Sequence, residues 1–308
     1  MDNQSEYGLT DALSHLEACN TEEANKILTT TCVNDLSNPK IAFTMECACY
    51  WKDILSHIST DSPYENGDYL LQEWKTFIAV KKSQSYVYDA ALYACCRGVF
   101  STALRYFHRL LNEKDLVYRA EILKKVGLCY KKLGEYDNAK RCLSEANTCH
   151  KSQAGVLAEL ADCYALCGDD RAAKLLFREA FFIDYKKIDI EFFDSNLINI
   201  LVQKTRELGY TGEMLNAWIP VYGVLWGVFN IKRSLRAQEI GKLKQDIYAL
   251  ETDNKDPART TPQLVPRLIN MYFWLIDYCQ TNNDSRLINE ILLKIKILDT
   301  NIYNLYVK

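Results

Sequence analysis

Small and large apolar residues recur with a period of 34 between residues 120 and 187. A Gly or Ala lets two helix backbones approach closely, and Gly134 and Gly168 suit the left-handed turn that ends a helix. The pattern predicts two antiparallel helix pairs, each needing neighbours to bury its apolar face. When segment 120–153 is laid over segment 154–187, the matching pairs are Leu123 with Leu157, Val126 with Leu160, Gly127 with Ala161, Tyr130 with Tyr164, Gly134 with Gly168, Ala139 with Ala173, Leu143 with Phe177, and Ala146 with Ala180.

The same template fits residues 84–119, a unit two residues longer, through Val87, Ala90, Ala91, Ala94, Gly98, Phe100, Ala103, Phe107 and Leu110. Helix-pair units of about 34 residues with this pattern resemble the tetratricopeptide repeat (TPR) family. The chain lacks the family's proline near the end of each repeat, and Val87, Leu123 and Leu157 replace its early tryptophan. The resemblance covers about one third of the chain. It implies an all-α fold, a right-handed α-solenoid of antiparallel helix pairs that forms a TPR-like superhelix.

Before these repeats, apolar residues at helical spacing predict further helices. The first carries Leu9, Leu13 and Leu16, and Asn20 or Thr21 can cap the second.

A third helix is expected from Pro39 to Ile58, and a fourth carries Tyr69, Trp74 and Phe77. Between these two helices, the stretch 61–67 contains Pro63 and Asn66-Gly67, which predicts a turn.

After the repeats, residues 196–208 and the chain from Gly212 onward predict a weaker fourth helix pair. The apolar run 215–229 is shorter than the roughly 20 residues that a membrane-spanning helix requires. It therefore predicts a buried core helix with a kink at Pro220. Residues 230–250 have the spacing of a long amphipathic helix.

The polar stretch around Pro257 is the clearest candidate linker. Two helices are expected after it, one starting at Thr261-Pro262 and one at Asp284 or Ser285. The apolar residues 301–308 predict either a packed tail or an edge that continues into a longer chain. We predict five segments: degenerate N-terminal helical repeats (1–83), TPR-like repeats (84–187), a degenerate repeat plus a long amphipathic helix (188–251), a linker (252–261), and a C-terminal helical pair or cap (262–308).

Composition agrees with a helical chain, because only 12 of the 308 residues are Gly and 6 are Pro. The formal net charge of −3 gives no overall attraction to nucleic acid or to an anionic membrane. Basic residues are concentrated within 119–141 and 232–244, but the aromatic residues occupy core positions instead of forming a stacking platform. A solvated face or an acidic protein partner is therefore favoured over RNA or DNA.

The 12 cysteines raise the question of a secreted, disulfide-bonded protein. Residues 1–20 have neither a basic start nor an apolar run, so no secretory signal is predicted there. Cys129 and Cys163 occupy the same repeat position, which is typical of small buried apolar residues. Reduced structural thiols and a cytoplasmic location are favoured over disulfides.

The candidate metal ligands do not form a convincing site. Cys142, Cys149 and His150 lack a nearby pair of spaced cysteines, and Cys163 with Cys167 gives only two ligands on one helical face. The chain contains no phosphate-binding loop, dinucleotide fingerprint, nucleophile elbow or zinc-protease motif. The sequence thus predicts no cofactor, no metal and no enzymatic activity.

In the TPR family the first helix of each repeat lines a concave groove. By that resemblance the partner-binding residues are Tyr88, Leu92, Glu121, Lys124, Leu128, Lys131 and Asp162. Lys124 matches one position of the family's clamp for chaperone tails, but Leu128 stands where that clamp has Asn, so such a clamp is disfavoured. The groove suits a protein or peptide with apolar anchors and acidic residues.

The sequence therefore predicts a non-catalytic protein-protein interaction scaffold in a multiprotein assembly. One alternative is a regulatory sensor that binds a peptide or a small ligand in the groove. Another is a helical-repeat enzyme with a Cys-His or acidic site in the C-terminal half. The apolar C-terminal region also allows self-association.

Overall fold

The computed structural model describes residues 3–35, 37–58 and 62–308. These residues form fifteen α-helices and two short 3-10 turns, Tyr185–Lys187 and Ile190–Phe192, without any β-strand. Successive helices pack in adjacent pairs, which confirms the expected all-α, solenoid-like repeat fold class. The helices are α1 Asn3–Glu17, α2 Thr21–Asn34, α3 Pro39–Ser56, α4 Pro63–Lys82, α5 Asp89–His108, α6 Leu116–Lys132, α7 Tyr136–Cys149, α8 Ala154–Leu166, α9 Asp170–Asp184, α10 Asn196–Glu207, α11 Gly212–Leu225, α12 Ala237–Lys255, α13 Leu264–Thr281, α14 Ser285–Leu298 and α15 Thr300–Val307.

The chain divides into two compact units, residues 1–150 and residues 151–308, called unit 1 and unit 2 below. In unit 1, α1 packs against both α2 and α5, and α6 packs between α5 and α7. In unit 2, α13 packs against α11, α12 and α14, and is the most buried helix of that unit. The five-segment division drawn from the sequence stays a prediction.

The helix pairs α6–α7 and α8–α9 have the same turn, as the repeat predicts. Gly134 and Gly168 both have φ of +82°, the left-handed conformation that glycine adopts without strain. The residue after each glycine donates its amide to the carbonyl of a matching tyrosine, and both N···O distances are 2.9 Å, to Tyr130 and to Tyr164. The two repeats therefore end their first helices in the same way.

The helix pair expected over residues 84–119 is wrong. A single helix, α5, occupies most of this unit. Gly98 lies inside it, although it stands at the same repeat position as Gly134 and Gly168. A Cβ atom on Gly98 would lie 2.1 Å from the carbonyl oxygen of Leu16. This glycine therefore marks a close crossing with the end of α1 and not a turn.

The turn expected within residues 61–67 is also wrong in its described part. Pro63 begins α4, and Asn66 and Gly67 are buried in that helix. A Cβ atom on Gly67 would lie 2.6 Å from the ring of Phe107, so this glycine provides space for a core aromatic side chain. Residue Asp61 lies outside the described residues.

The long amphipathic helix expected over 230–250 begins only at Ala237. The residues before it are held in a non-helical path by side-chain contacts within unit 2. Lys232 Nζ lies 2.8 Å from the carboxylate of Asp277 on α13, and that carboxylate also pairs with the buried Arg178 of α9. These ion pairs join residues far apart in sequence, so the local pattern could not reveal them.

The linker and the next helix start are shifted relative to the prediction. Helix α12 continues to Lys255, and α13 begins at Leu264 and not at Pro262. Two other expectations are confirmed, because Asp284 caps α14 and the tail packs as a helix. In that tail the ring of Tyr306 stacks on Phe273 at 4.7 Å between centroids.

The predicted helix pair α10–α11 is confirmed, with Gly209 in the turn between them at a φ of +92°. The apolar run that follows is largely buried in α11, which continues through Pro220. Among the described residues, no helix combines the length and apolar character needed to cross a lipid bilayer.

Candidate functional site

The residues predicted to line a groove on α5 and α6 are mostly core residues. The exposed fractions are 9% for Leu92, 4% for Leu128 and 2% for Lys131. Helix α6 packs between α5 and α7, so these positions face neighbouring helices. These three side chains expose little surface to a partner, and their role in a groove stays a prediction.

The other predicted groove residues of unit 1 are half-buried and engaged within the unit. Tyr88 is the residue before α5, and Lys40 Nζ lies 5.5 Å from the centroid of its ring. Glu121 and Lys124 form an ion pair with an N···O distance of 3.4 Å. Their charges are therefore partly neutralised before any partner arrives.

Asp162 of α8 is fully buried in unit 2 and has a structural role there. Its two carboxylate oxygens accept hydrogen bonds from the backbone amides of Asp194 and Ser195, with N···O distances of 2.9 and 3.0 Å. These amides lie at the start of α10, where a helix leaves its N–H groups without internal partners. Asp162 positions the start of α10 and is not part of an open groove.

Replacing Asp162 with Ala should lower the free energy of unfolding by about 2 kcal/mol, because two backbone donors lose a buried acceptor. The amides of Asp194 and Ser195 should exchange with deuterium faster, which nuclear magnetic resonance can measure residue by residue. Asp162→Asn keeps one amide oxygen as an acceptor and should cost about half as much. Unchanged exchange at both amides in Asp162→Ala would rule out this role.

A different surface of unit 1 presents contiguous apolar side chains to solvent. Leu116, Val117 and Tyr118 form the first turn of α6, and their exposed fractions are 58%, 56% and 39%. The ring of Tyr64, in the first turn of α4, lies 5.5 Å from the ring of Tyr118. We call these four residues the Tyr64–Tyr118 patch.

The backbone beneath the patch is held by side-chain caps. Asp115 accepts a hydrogen bond from the amide of Tyr118 at 2.8 Å, which fixes the start of α6. Glu113 Oε1 accepts from the amides of Lys114 and Asp115 at 2.7 and 2.9 Å. The exposed apolar residues therefore sit on an ordered turn and would lose little backbone freedom on binding.

Acidic side chains surround the patch. Burial is the main cause that raises the pKa of Tyr118, and Glu113 and Glu65 raise it further. Neither of these carboxylates pairs with a cation elsewhere in the part of the chain that the structure describes. Lys114 is an exposed cation in the same turn.

The Tyr64 side of the patch is also acidic. Burial raises the pKa of the Tyr64 hydroxyl to about 12, and the carboxylates of Glu121 and Asp68 add to the shift. Asp68 is itself paired with Lys125 at 2.5 Å. Glu65 and Glu113 therefore remain as the carboxylates near Tyr118 that form no ion pair among the described residues.

The sequence template missed this patch because it assigned residues 84–119 to one helix pair. The local signal was nevertheless present, since Asp115 is a good cap residue and is followed by three large apolar residues. Residues in the first turn of a helix point in different directions, so at least one residue of an entirely apolar first turn faces solvent.

None of the twelve cysteines forms a disulfide. In the described ranges, no group of three His, Cys, Asp or Glu residues is placed to hold a metal ion. Of the cysteines singled out in the sequence, Cys142 and Cys163 are buried and Cys167 is exposed. His108 Nε2 lies 3.1 Å from the hydroxyl of Tyr130, a contact within the repeat region.

No model of a known protein family matches the chain, and no curated protein sequence matches it.

Proposed function

We propose that this chain is a non-catalytic protein-interaction scaffold within a multiprotein assembly, and that it binds a partner segment at the Tyr64–Tyr118 patch. The observation that carries the proposal is the ordered, solvent-exposed turn Leu116-Val117-Tyr118 beside Tyr64. Contiguous exposed apolar side chains mark interaction surfaces, and tyrosine is enriched among the residues that dominate binding energy. The resemblance of residues 120–187 to TPR repeats supports the same class of function.

The charges around the patch favour a partner with apolar anchors flanked by Lys or Arg. Glu65 is available to such a partner, and Glu113 carries a negative charge there although its Oε1 accepts two backbone hydrogen bonds. Lys124 is paired with Glu121, and Lys131 is buried. The sequence analysis expected a partner with acidic residues, so the two expectations differ in the charge of the partner. Complementary charges at the edge of an interface speed association and select among partners, more than they add affinity.

The proposal can be tested with a phage library of random 14-residue peptides selected on the folded chain. We expect the recovered peptides to combine two or more large apolar residues with Lys or Arg. For a recovered peptide, Leu116→Ser with Val117→Ser should raise Kd at least tenfold in fluorescence anisotropy, because the apolar contact is lost. Tenfold corresponds to about 1.4 kcal/mol.

The matched control is Leu293→Ser with Ile297→Ser on α14, which removes two apolar side chains that are also more than half exposed. This control should leave Kd unchanged. Glu65→Gln should weaken binding by a smaller factor, and only at low salt, since exposed charges are screened. Recovery of no peptides, or of peptides that bind the Leu116→Ser, Val117→Ser variant normally, would contradict the proposal.

A further inference from the structure

Unit 2 contains a cavity of about 280 Å³ where the end of α9 and the following 3-10 turn meet α11 and α13. Its apolar lining includes Phe182, Tyr185, Pro220 and Met271. The exposed surface of the lining is slightly more polar than apolar. A concave site that combines aromatic and apolar side chains with a few polar groups is the usual form of a small-molecule site. No residue of this cavity belongs to the Tyr64–Tyr118 patch, so the two sites can be tested separately.

The walls of the cavity are held in place by contacts outside it. The ring of Phe182 stacks on Trp274 with centroids 4.4 Å apart. Asn216 donates hydrogen bonds to the carbonyl oxygens of Tyr185 and Ile188, at 3.2 and 3.0 Å, and so fixes the turn after α9. When the walls of a cavity are already ordered, a ligand binds without the entropic cost of ordering them.

Two cationic side chains, Arg267 and Lys186, belong to the lining of the cavity. Burial raises the pKa of the Tyr185 hydroxyl, Lys186 and Arg267 act to lower it, and Glu213 and Asp184 act to raise it further. Lys186 is only weakly held, since its Nζ is 3.5 Å from Glu213 and both side chains are more than half exposed.

Arg267 is available to a ligand, because it forms no ion pair or side-chain hydrogen bond with any residue that the structure describes in unit 2. The one carboxylate in the lining, Asp184, accepts a hydrogen bond from the backbone amide of Lys186 at 3.1 Å. Lys186 is thus partly offset by Glu213 and Asp184, and Arg267 is the cation of the lining that remains without an ion pair among the described residues of unit 2. A guanidinium group with free N–H donors binds carboxylates in a bidentate geometry.

A buried amide adds a second polar feature. Asn270 of α13 lies in the cavity wall, is only 5% exposed, and its Oδ1 has no hydrogen-bond partner. A buried polar atom without a partner costs about 1–3 kcal/mol, so such atoms are uncommon in folded proteins. The terminal torsion of Asn is broad, and the amide can turn toward a polar group placed in the cavity.

We propose that this cavity binds a small aromatic carboxylate. The carboxylate lies at Arg267, Lys186 and the Tyr185 hydroxyl, and the ring packs against Phe182 and Met271. A donor on the ligand, where present, pairs with Asn270. A volume of about 280 Å³ suits a single ring system with a short acidic side chain.

Isothermal titration calorimetry with phenylacetate, indole-3-acetate, the neutral phenylacetamide and inorganic phosphate tests this proposal on the full chain. We expect at least one of the two carboxylates to bind with Kd below about 1 mM. Phenylacetamide should bind at least tenfold more weakly than phenylacetate, because it lacks the charge. Arg267→Gln should weaken carboxylate binding at least tenfold, and since Arg267 is exposed this variant should fold normally.

Arg286→Gln on α14 is the matched control, because that arginine is also exposed and does not line the cavity, and it should leave Kd unchanged. The Leu116→Ser, Val117→Ser variant should also bind carboxylates normally, which separates this proposal from the scaffold function. The proposal is overturned if neither carboxylate binds at 10 mM, if phenylacetamide or phosphate binds as tightly as the better carboxylate, or if Arg267→Gln leaves Kd unchanged.

Discussion

Lys131→Glu is expected to lower the free energy of unfolding by about 3–5 kcal/mol. Lys131 is only 2% exposed, and a buried ammonium group is tolerated only where its surroundings stabilise a positive charge. Reversing the charge places a carboxylate in surroundings arranged for a cation. Thermal unfolding followed by circular dichroism should show a Tm lower by roughly 10 °C.

Lys124→Glu is the matched control, since it makes the same charge reversal on the same helix. The Lys124 side chain is 26% exposed and pairs with Glu121 near the surface, so its reversal should cost about 1 kcal/mol or less. Equal losses of stability in the two variants would contradict the different environments of these lysines.

Gly98→Ala is expected to destabilise unit 1 by about 3 kcal/mol, through overpacking at the crossing of α1 and α5. The added Cβ would lie 2.1 Å from the carbonyl oxygen of Leu16 and 3.1 Å from the amide nitrogen of Cys19. Both are backbone atoms, so the contact cannot be relieved by a change of rotamer, and the helices must separate. Urea unfolding at equilibrium measures the loss.

Gly241→Ala provides the opposite case within α12. A Cβ atom there would meet nothing within 4 Å, and alanine favours a helix over glycine by roughly 0.5–1 kcal/mol. This variant should therefore be slightly more stable than the wild-type chain. If Gly98→Ala were also neutral or stabilising, the close approach of α5 to the end of α1 would be wrong.

The two best repeats illustrate what local pattern can predict. Gly134 and Gly168 were expected to end helices in a left-handed turn, and both do so at the same φ. Their surroundings repeat in sequence, and the hydrogen bonds of the turn lie within a few residues. Such features depend on short-range geometry, so they can be inferred without knowing the tertiary fold.

The unit at 84–119 shows where this inference fails. Gly98 matches the template as well as Gly134 does, yet it lies inside a continuous helix. A glycine permits a turn, but it also permits another backbone to approach, and only the neighbouring element decides between these uses. For Gly98 that element is the end of α1, more than 75 residues away in sequence.

Charged residues were the least predictable part of the candidate site. Lys124 and Lys131 occupy equivalent faces in a helical projection, but one is near the surface and the other is in the core. Asp162 was expected to face a partner and instead binds the backbone at Asp194 and Ser195. A charged side chain becomes buried only when distant groups compensate for its lost hydration, and the sequence does not show which groups these are.

The sequence by itself determined the helical class of this protein, the helix pairs α6–α7 and α8–α9, and most of the helix starts, because these depend on periodicity and on caps within a few residues. Only the tertiary structure decided which faces remain open to solvent. Packing of α6 between α5 and α7 buried Leu92, Leu128 and Lys131 and left the Tyr64–Tyr118 patch exposed. The meeting of α9, α11 and α13 formed the cavity of unit 2. Surfaces and cavities arise from the shapes of several helices together, so no single segment of the sequence specifies them.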